Sequence, residues 1–285
     1  MKPFLKWAGG KRQILPAIKT ILIDHGVNTD DVTYYEPFVG GGSVFLDLAK
    51  ENCVINDYNE EIINTYKMIK DHSIGLMRML KTHELRNSPD YYYQMRELDR
   101  SDEYIHMGKT KKAARTIYLN KTCFNGLYRV NNSGYFNTPV GSYTNPLICD
   151  KDNILAIHDY LNNNNVQLLS GDFTDAVPNH KIGDIIYFDP PYDYVDQKGF
   201  VKYSAKGFTR DDLIRLKEFC DTLIDDRCNV LISNNDTPFV RATFASENYK
   251  IYTIQEIETK RSITSKGEDR NNKVPEVLIY GTRNN

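Results

Sequence analysis

The sequence predicts an α/β protein with a doubly wound core and one inserted segment. Two observations indicate the core: near-continuous apolar runs end in polar or glycine-rich turns, and helical patterns lie between them. Such strands are typical of a sheet covered on both faces, and the intervening helices indicate βαβ units. A third observation is a change of composition near residues 71–158, which predicts an insertion between the second and third core strands.

Apolar runs place five core strands, and periodic segments place helices beside them. The strands are predicted at residues 33–38, 53–57, 166–169, 184–189 and 229–233. The helices are predicted at residues 43–50, 60–70 and 209–225, the last with Thr209 as its N-cap. On this pattern the core domain comprises residues 1–70 and 159–285. Residues 71–158 form a mainly helical insertion with a basic loop.

The composition excludes several classes of protein. The chain has 285 residues, and its 40% hydrophobic content suffices for a buried core. No stretch approaches the roughly 18 consecutive apolar residues of a membrane span, and the N-terminus lacks the apolar run of a signal peptide. We therefore expect a cytoplasmic protein with no membrane partner and no need of an oligomeric partner. The scattered cysteines and histidines predict reduced thiols and no metal site.

Positive charge is concentrated in two segments, although the formal net charge is only -2. Residues 1–23 and 104–149 contain no Asp or Glu, and they hold five and six Lys or Arg residues respectively. The second segment interleaves these charges with aromatic side chains, which is typical of a surface that follows a phosphate backbone. We expect nucleic-acid binding to depend on four of its residues, which are Lys109, Lys111, Lys112 and Arg115.

A glycine-rich segment, Glu36-Pro37-Phe38-Val39-Gly40-Gly41-Gly42-Ser43, follows a predicted strand and precedes a helix. Successive glycines allow a sharp turn and a close approach of the backbone to a ligand, as in the first loop of nucleotide-binding α/β folds. The pattern is not Gly-x-Gly-x-x-Gly, which argues against a nicotinamide dehydrogenase. Asp57 ends the next strand, where a carboxylate can accept both hydroxyls of a ribose.

The segment Asp189-Pro190-Pro191-Tyr192 lies at the carboxyl end of an apolar strand. Ligands bind at that edge of open α/β sheets. Two consecutive prolines hold the backbone extended and remove two N–H donors. The resulting corner presents a carboxylate, a carbonyl and an aromatic ring, which is what an exocyclic amine on a planar base requires.

Together with Lys6-Trp7-Ala8-Gly9-Gly10-Lys11, these motifs resemble those of the Dam-type family of DNA adenine-N6 methyltransferases, in the type II, alpha motif order. The resemblance covers essentially the whole chain. It implies a doubly wound Rossmann-like, S-adenosylmethionine-dependent methyltransferase core with an inserted, mainly helical target-recognition domain. It also implies methyl transfer to N6 of an adenine that is flipped out of duplex DNA.

The resemblance implies roles for individual residues. Those expected to bind the cofactor are Trp7, Gly9, Lys11, Glu36, Phe38, Gly40, Asp57, Asp172, Phe173 and Asp189. Asp172 would accept the amino group of the cofactor adenine, and Phe173 would pack on its ring. The expected catalytic residues are Asp189, Pro190 and Tyr192. The Asp189 carboxylate and Pro190 carbonyl would accept the N6 hydrogens while Tyr192 stacks on the base, with no metal required.

Residues 120–139 are similar to the recognition hairpin of family members that modify GATC. The expected DNA-binding residues are Lys121, Phe124, Asn125, Leu127, Arg129, Pro139 and Arg261. Arg129 would contact guanine, Leu127 and Pro139 the thymine methyl, and Phe124 would wedge into the duplex beside Asn125. Ser142 stands where family members often have Arg, which leaves recognition of one outer base pair open. We predict methylation of the adenine in GATC or a related short site.

Three alternatives share part of this pattern. A cytosine-N4 or an RNA adenine methyltransferase would share the cofactor half of the site, and a non-catalytic DNA-binding regulator would share the basic insertion. Asp189 favours adenine in DNA, because cytosine-N4 enzymes more often carry Ser at that position and RNA enzymes usually Asn. A regulator does not require an intact Asp-Pro-Pro-Tyr corner. The sequence leaves open whether the enzyme serves restriction-modification or another role.

Overall fold

The computed structural model describes residues 1–7, 11, 14–25, 27, 31–194, 207–245, 250–260 and 273–283. Seven strands of these residues form one sheet. They are β1 (Tyr34–Glu36), β2 (Asn52–Asp57), β3 (Asn165–Ser170), β4 (Ile185–Phe188), β5 (Asn229–Asn235), β6 (Lys250–Lys260) and β7 (Lys273–Arg283). The five predicted core strands, β1 to β5, are confirmed with small differences at their ends.

The strand order in the sheet is β3-β2-β1-β4-β5-β7-β6. β1 to β5 are parallel, whereas β7 is antiparallel to both of its neighbours, β5 and β6. The chain passes from β1 outward to β3 on one side, and from β4 outward to β5 on the other. The order therefore reverses between β1 and β4, and the crevice outside their carboxyl ends is where such sheets bind ligands. The doubly wound core is confirmed.

The helices of the described residues lie between and beside these strands. They are α1 (Leu15–Asp24), α2 (Phe45–Leu48), α3 (Glu60–Arg86), α4 (Pro89–Glu97), α5 (Asp102–His106), α6 (Lys109–Thr122), α7 (Lys151–Asn163), α8 (Arg210–Asp225) and α9 (Pro238–Thr243). The predicted N-cap of α8 is confirmed, because Thr209 and Asp212 exchange side-chain to backbone hydrogen bonds in a capping box. None of these helices is long and apolar enough to cross a membrane.

Both faces of the sheet are covered, as the unbroken apolar strands predict. Ile185 and Tyr187 of β4 pack into a cluster with residues of α1 and α3. Their neighbours Ile186 and Phe188 pack into a second cluster with residues of α8. Alternate side chains of one strand therefore enter two cores, because successive residues of a strand point to opposite faces.

Helices α3 to α7 and an irregular hairpin occupy the chain between β2 and β3. α3 packs against α6, α7 and β3. It continues to Arg86, beyond its predicted end at residue 70, and bends at His72, whose φ and ψ are not helical. Because α3 crosses one predicted domain boundary and α7 crosses the other, two helices join the expected insertion to the core. The division into two domains stays a prediction.

The five cysteines, Cys53, Cys123, Cys149, Cys220 and Cys228, are all buried and form no disulfide. Burial raises the pKa of Cys53 to about 11 and that of Cys123 to about 12. Within the described part of the chain, no group of three His, Cys, Asp or Glu side chains is placed to hold a metal ion.

Candidate active site

Asp189 follows the last residue of β4 and faces the crevice where the strand order reverses. About a fifth of its side chain, 20%, stays accessible. Burial raises the pKa of Asp189, and the charge and hydrogen bond of Lys11 and the hydrogen bond of Ser233 oppose that rise. A carboxylate that is partly accessible but largely desolvated is well placed to accept hydrogen bonds from a bound ligand.

Lys11 joins the N-terminal segment to this corner. Its side chain is almost fully buried, and Nζ lies 3.0 Å from Asp189 Oδ1. Nζ also contacts the Tyr192 hydroxyl and lies 4.0 Å from the centre of the Tyr192 ring. The Tyr192 hydroxyl in turn donates to Glu276 Oε2 at 3.2 Å. Lys11, expected to bind the cofactor, therefore contacts Asp189 and Tyr192, which are expected to be catalytic.

The glycine loop after β1 is covered by Trp7. Gly40 has a φ of +47°, and a Cβ there would lie 2.5 Å from Trp7 Nε1, so both backbone conformation and space favour glycine. The Gly40 N–H donates to Asp57 Oδ2 at 2.9 Å, while the Asn59 N–H donates to Asp57 Oδ1 at 2.9 Å. Burial raises the pKa of Asp57 to about 6. Trp7, Gly40 and Asp57 thus meet at the ends of β1 and β2.

Glu36, the last residue of β1, is 2% exposed. The Tyr34 hydroxyl donates to its Oε2 at 2.7 Å. Burial raises the pKa of Glu36 to about 8; the Tyr34 hydrogen bond opposes the rise and the charge of Asp189 adds to it. Glu36 is therefore a buried carboxyl poised to lose its proton near neutral pH when a cation approaches.

Aromatic side chains form a wall beside the loop after β3. Phe38 lies with its ring centroid 5.5 Å from that of Phe173 and 5.8 Å from that of Phe208. The two Asp172 oxygens accept from Arg215 Nη1 and Nη2 at 2.8 and 2.9 Å. This bidentate pair lowers the pKa of Asp172 to about 2. Arg215 also lies 4.3 Å from the centre of the Phe173 ring, so it fixes both residues expected to contact adenine.

The hairpin expected to read DNA is built around residues 122–141. Two antiparallel bridges, Cys123 with Val140 and Val130 with Phe136, hold its arms together, and the Phe124 N–H donates to the Pro139 carbonyl at 2.8 Å. Phe124 is 38% exposed. Pro139 is also exposed.

Four other residues of this region are less accessible. Leu127 is 4% exposed, so a contact with a base requires its side chain to become accessible first. Lys121 is half-buried; burial lowers its pKa, and its carbonyl accepts from Lys6 Nζ at 3.3 Å. Arg129 donates from Nε to Asn137 Oδ1 at 2.8 Å, which orients the guanidinium. Asn125 adopts a left-handed conformation with a φ of +55° in the turn beside Phe124.

One member of the predicted basic surface has a different role. Arg115 is 5% exposed, and its Nε and Nη2 donate to the carbonyls of Met95 and Arg96 at 2.6 and 2.8 Å. Nη2 also lies 2.9 Å from Asp99 Oδ2. The expectation that Arg115 belongs to a surface that follows phosphate is wrong, because its side chain is buried and its Nε and Nη2 donate inside the protein. Lys109 and Lys111 are exposed on the same helix, α6.

Two expected site residues, Gly9 and Arg261, lie outside the described residues. The others fall into two groups. The residues that meet at the carboxyl edge of the sheet are Trp7, Lys11, Glu36, Phe38, Gly40, Asp57, Asp172, Phe173, Asp189, Pro190 and Tyr192. The second group lies on or next to the hairpin.

Residues 7–263 match the family model described as D12 class N6 adenine-specific DNA methyltransferase. The chain belongs to this family. It is 39% identical over 284 residues to the type II methyltransferase M1.LlaDCHI of Lactococcus lactis subsp. cremoris, covering 99% of this chain and 96% of the relative. It is 35% identical over 293 residues to the type II methyltransferase M.MjaIII of Methanocaldococcus jannaschii, covering 98% of each.

A third relative is the DNA adenine methylase of Escherichia coli (strain K12), which is 32% identical over 282 residues and covers 97% of this chain and 94% of the relative. The protein is therefore a site-specific DNA methyltransferase that acts on N6 of adenine and uses a methyl donor. The cytosine-N4, RNA and non-catalytic alternatives do not agree with this family.

Several residues of the candidate site were not predicted from the sequence. Asn56 is buried, and its Nδ2 donates to the carbonyls of Pro37 and Gly171 at 3.0 and 3.1 Å, which joins the loops after β1 and β3. Ser233 donates to Asp189, and Arg215 donates to Asp172. The only feature of the sequence that could have indicated Asn56 is a short polar residue next to the end of a strand. That feature is common in proteins and is not specific to binding sites.

Replacement of Arg215 by Met should weaken methyl-donor binding about tenfold and leave the rate at saturating donor within about twofold. Met keeps the packing on Phe173 but removes the two hydrogen bonds that orient Asp172. Isothermal titration of the donor and steady-state kinetics would measure the two effects. The control is Arg241→Met, which removes a similar bidentate pair with Asp236 elsewhere on the surface. Equal donor affinity in the Arg215 and Arg241 variants would contradict the prediction.

Replacement of Glu36 by Gln should flatten the dependence of stability on pH. Because the pKa of Glu36 rises from its ordinary 4.5 to about 8 on folding, the folded protein holds this proton more tightly than the unfolded chain does. The resulting stability is present below pH 4.5 and is lost as the pH rises to 8. Gln avoids that loss, so the variant should be more stable than the parent at pH 8, by a few kcal/mol in order of magnitude.

Urea unfolding at pH 5 and pH 8 would measure the effect, with Glu51→Gln on the exposed surface as the control. A parent and a Glu36 variant with parallel pH profiles would show that Glu36 titrates normally.

Proposed function

We propose that the methyl donor is S-adenosylmethionine and that the target is the adenine of GATC, or of a closely related short site, in double-stranded DNA. The observation that carries this proposal is the position of Asp189: a partly accessible carboxylate at the switch point of the sheet, held by Lys11 and flanked by the glycine loop. A single carboxylate at this position can contact both a bound methyl donor and the target amine.

The residues at the sheet edge fit S-adenosylmethionine in their chemistry. Each Asp57 oxygen accepts one backbone N–H and retains a lone pair for a ribose hydroxyl. Phe38 is half-buried and offers a ring face to an adenine, while Phe173, which is 4% exposed, packs against Phe38. A Cβ at Gly171, in the loop after β3, would meet no atom within 4 Å, so there is open space beside that wall. S-adenosylmethionine supplies a methyl group on a positively charged sulfonium, and the carboxyl groups of this edge favour a cation.

The corner after β4 would activate the target amine. The lone pair of adenine N6 is delocalised into the ring, and acceptors for its two hydrogens return electron density to the nitrogen. The Asp189 carboxylate and the Pro190 carbonyl are the two acceptors. Because the Lys11 ammonium occupies one face of the Tyr192 ring, we expect the flipped adenine to stack on the opposite face. Unstacking the base costs a few kcal/mol, which protein contacts to the duplex must offset.

Residues 71–158 would act as the target-recognition domain, with the hairpin as its reading edge. Phe124 is exposed where a wedge is needed. The Arg129 guanidinium is oriented by Asn137 and keeps donors for the O6 and N7 of guanine. Ser142 is exposed and too short to replace an Arg donor at a base. We therefore expect one outer base pair to be read less strictly than the inner ones.

The specificity can be tested on unmethylated plasmid DNA incubated with the protein and S-adenosylmethionine. GATC sites should become resistant to an endonuclease that methylation blocks and sensitive to one that requires methylation. N6-methyladenine should be the methylated nucleoside found by mass spectrometry. On synthetic duplexes, changing an inner base pair should lower the rate about 10-fold to 200-fold, and changing the outer pair near Ser142 should lower it less.

The Asp189→Ala variant is the control for contaminating activity in this assay. Methyl incorporation into DNA whose GATC sites all remain sensitive to the blocked endonuclease would exclude GATC as the site. Failure to use S-adenosylmethionine while another donor supports methylation would exclude the proposed donor.

A further inference from the structure

A buried pair of hydroxyl groups lies behind Asp189. Ser233 of β5 and Tyr187 of β4 stand on neighbouring parallel strands and are each 1% exposed. The Ser233 hydroxyl donates to Asp189 Oδ1 at 2.8 Å. The Tyr187 hydroxyl lies 2.9 Å from Ser233 Oγ. The three groups form a continuous chain of hydrogen bonds from the sheet interior to the accessible carboxylate.

The chemistry of these groups fixes the direction of the chain. An ionised Asp189 accepts hydrogen bonds and donates none, so the single proton of Ser233 is committed to it. Tyr187 must then donate to Ser233. Burial raises the pKa of Tyr187 well above its ordinary value, so its hydroxyl keeps the proton it donates. Each bond in such a chain polarises and strengthens the next.

The chain also distinguishes the two oxygens of Asp189. Oδ1 accepts from both Ser233 and Lys11. Among the described residues, none donates to Oδ2. A carboxylate whose inner oxygen is held by two donors cannot rotate freely, so its outer oxygen has a defined direction.

We propose that Ser233 and Tyr187 are positioning residues for methyl transfer, which hold Asp189 so that Oδ2 is presented to the N6 amine. The proposal rests on the proposed role of Asp189 as an acceptor for that amine. It assigns a function to two buried hydroxyls that packing alone does not require, because a buried pair of this kind can be replaced by apolar groups at little cost in stability.

The test is the single-turnover rate of methyl transfer as a function of pH, because this rate reports the chemical step alone. Ser233→Ala should lower the rate about 10-fold to 100-fold, the effect of removing one hydrogen bond to a charged group. The dissociation constants for donor and DNA should stay within about twofold. Loss of a hydrogen bond to the ionised carboxylate raises the pKa of Asp189. As the pH is lowered, the variant should therefore lose activity at a higher pH than the parent does. Ser233→Thr, which keeps the hydroxyl, should restore most of the rate.

Tyr187→Phe provides a second test, which remains decisive if the Ser233 variant does not fold. It should lower the rate several-fold and shift the pH profile in the same direction. The double variant should be no slower than Ser233→Ala, because Tyr187 acts only through Ser233. Tyr280→Phe is the matched control, since it removes a buried tyrosine hydrogen bond to Asn229 on β5 without touching the site.

An unchanged rate and pH profile in folded Ser233→Ala and Tyr187→Phe would overturn the proposal, as would weaker donor or DNA binding with no change of rate. The proposed function fails separately, if Asp189→Ala remains active. An inactive Asp189 variant beside fully active Ser233 and Tyr187 variants would reject the positioning role alone.

Discussion

Replacement of Asp189 by Ala should lower the rate of methyl transfer by about 10²–10³-fold or more, while the protein remains folded and still binds duplex DNA. The carboxylate is the acceptor expected to raise electron density on N6. The other carboxylate of residues 189–194, Asp193, is 8% exposed and paired with Arg210. Transfer of labelled methyl groups to a GATC duplex would measure the rate. Gel-shift titration would measure DNA binding.

Asp189→Asn separates the loss of the acceptor from a change in local charge. In the Ala variant the buried Lys11 ammonium keeps its contact with Tyr192 but loses the carboxylate that pairs with it. The Asn variant keeps a side-chain oxygen that can accept from Lys11 and Ser233. Its amide would then present a donor to the N6 amine, so we expect a loss of rate similar to that in Ala. Asp47→Asn, which breaks a surface ion pair with Lys19, is the control. Near-parental rates in both Asp189 variants would remove Asp189 from the mechanism.

Replacement of Arg115 by Met should destabilise the protein by about 3 kcal/mol, because it removes a buried cation from two carbonyls and from Asp99. This loss of stability lies at the lower end of the range for a broken buried ion pair. Asp99 still has a partner, because Arg100 Nη1 lies 2.6 Å from Asp99 Oδ1. Asp99 also accepts from the Phe136 N–H of the hairpin at 2.9 Å. Weaker DNA binding by this variant would therefore reflect a loosened hairpin. Urea unfolding would measure its stability.

The matched variant is the triple change Lys109→Gln, Lys111→Gln, Lys112→Gln on the same helix. It should leave the free energy of unfolding within about 0.5 kcal/mol of the parent. DNA binding should weaken. The slope of the logarithm of the binding constant against the logarithm of the salt concentration should become shallower, by the equivalent of up to three phosphate contacts. Unchanged salt dependence would show that α6 presents only a solvated face. A fully stable Arg115→Met variant would show that its buried contacts contribute nothing.

The core strands could be predicted because short apolar runs bounded by turn residues report a sheet covered on both faces. The motif order also placed Asp57 and Asp189 at strand ends. The contacts of Lys11 could not be predicted in the same way: it lies 181 positions from Tyr192, and only the fold brings the two together. Ser233 is likewise 44 positions from Asp189, inside a strand whose sequence indicates nothing beyond burial.

The error on Arg115 has a similar cause. Charge density along the chain predicts a basic surface but does not distinguish the two sides of a helix. The residues next to Arg115 on α6, Ala114 and Thr116, are buried, and its guanidinium meets carbonyl groups at the end of α4 that no local pattern reveals. Leu127 shows a second limit of the sequence. The motif correctly predicts that Leu127 lies in the hairpin, but it does not reveal that packing buries the side chain.

The buried cysteines make this methyltransferase convenient for spectroscopy. All five thiols are shielded by the fold, and burial keeps the pKa values of Cys53 and Cys123 far above neutrality, so thiol-reactive dyes meet little thiolate at pH 7. A single cysteine introduced at the exposed Ser142 would then be the one position open to labelling. A fluorophore there would lie beside the hairpin proposed to read DNA and should report DNA binding, without prior removal of any native thiol.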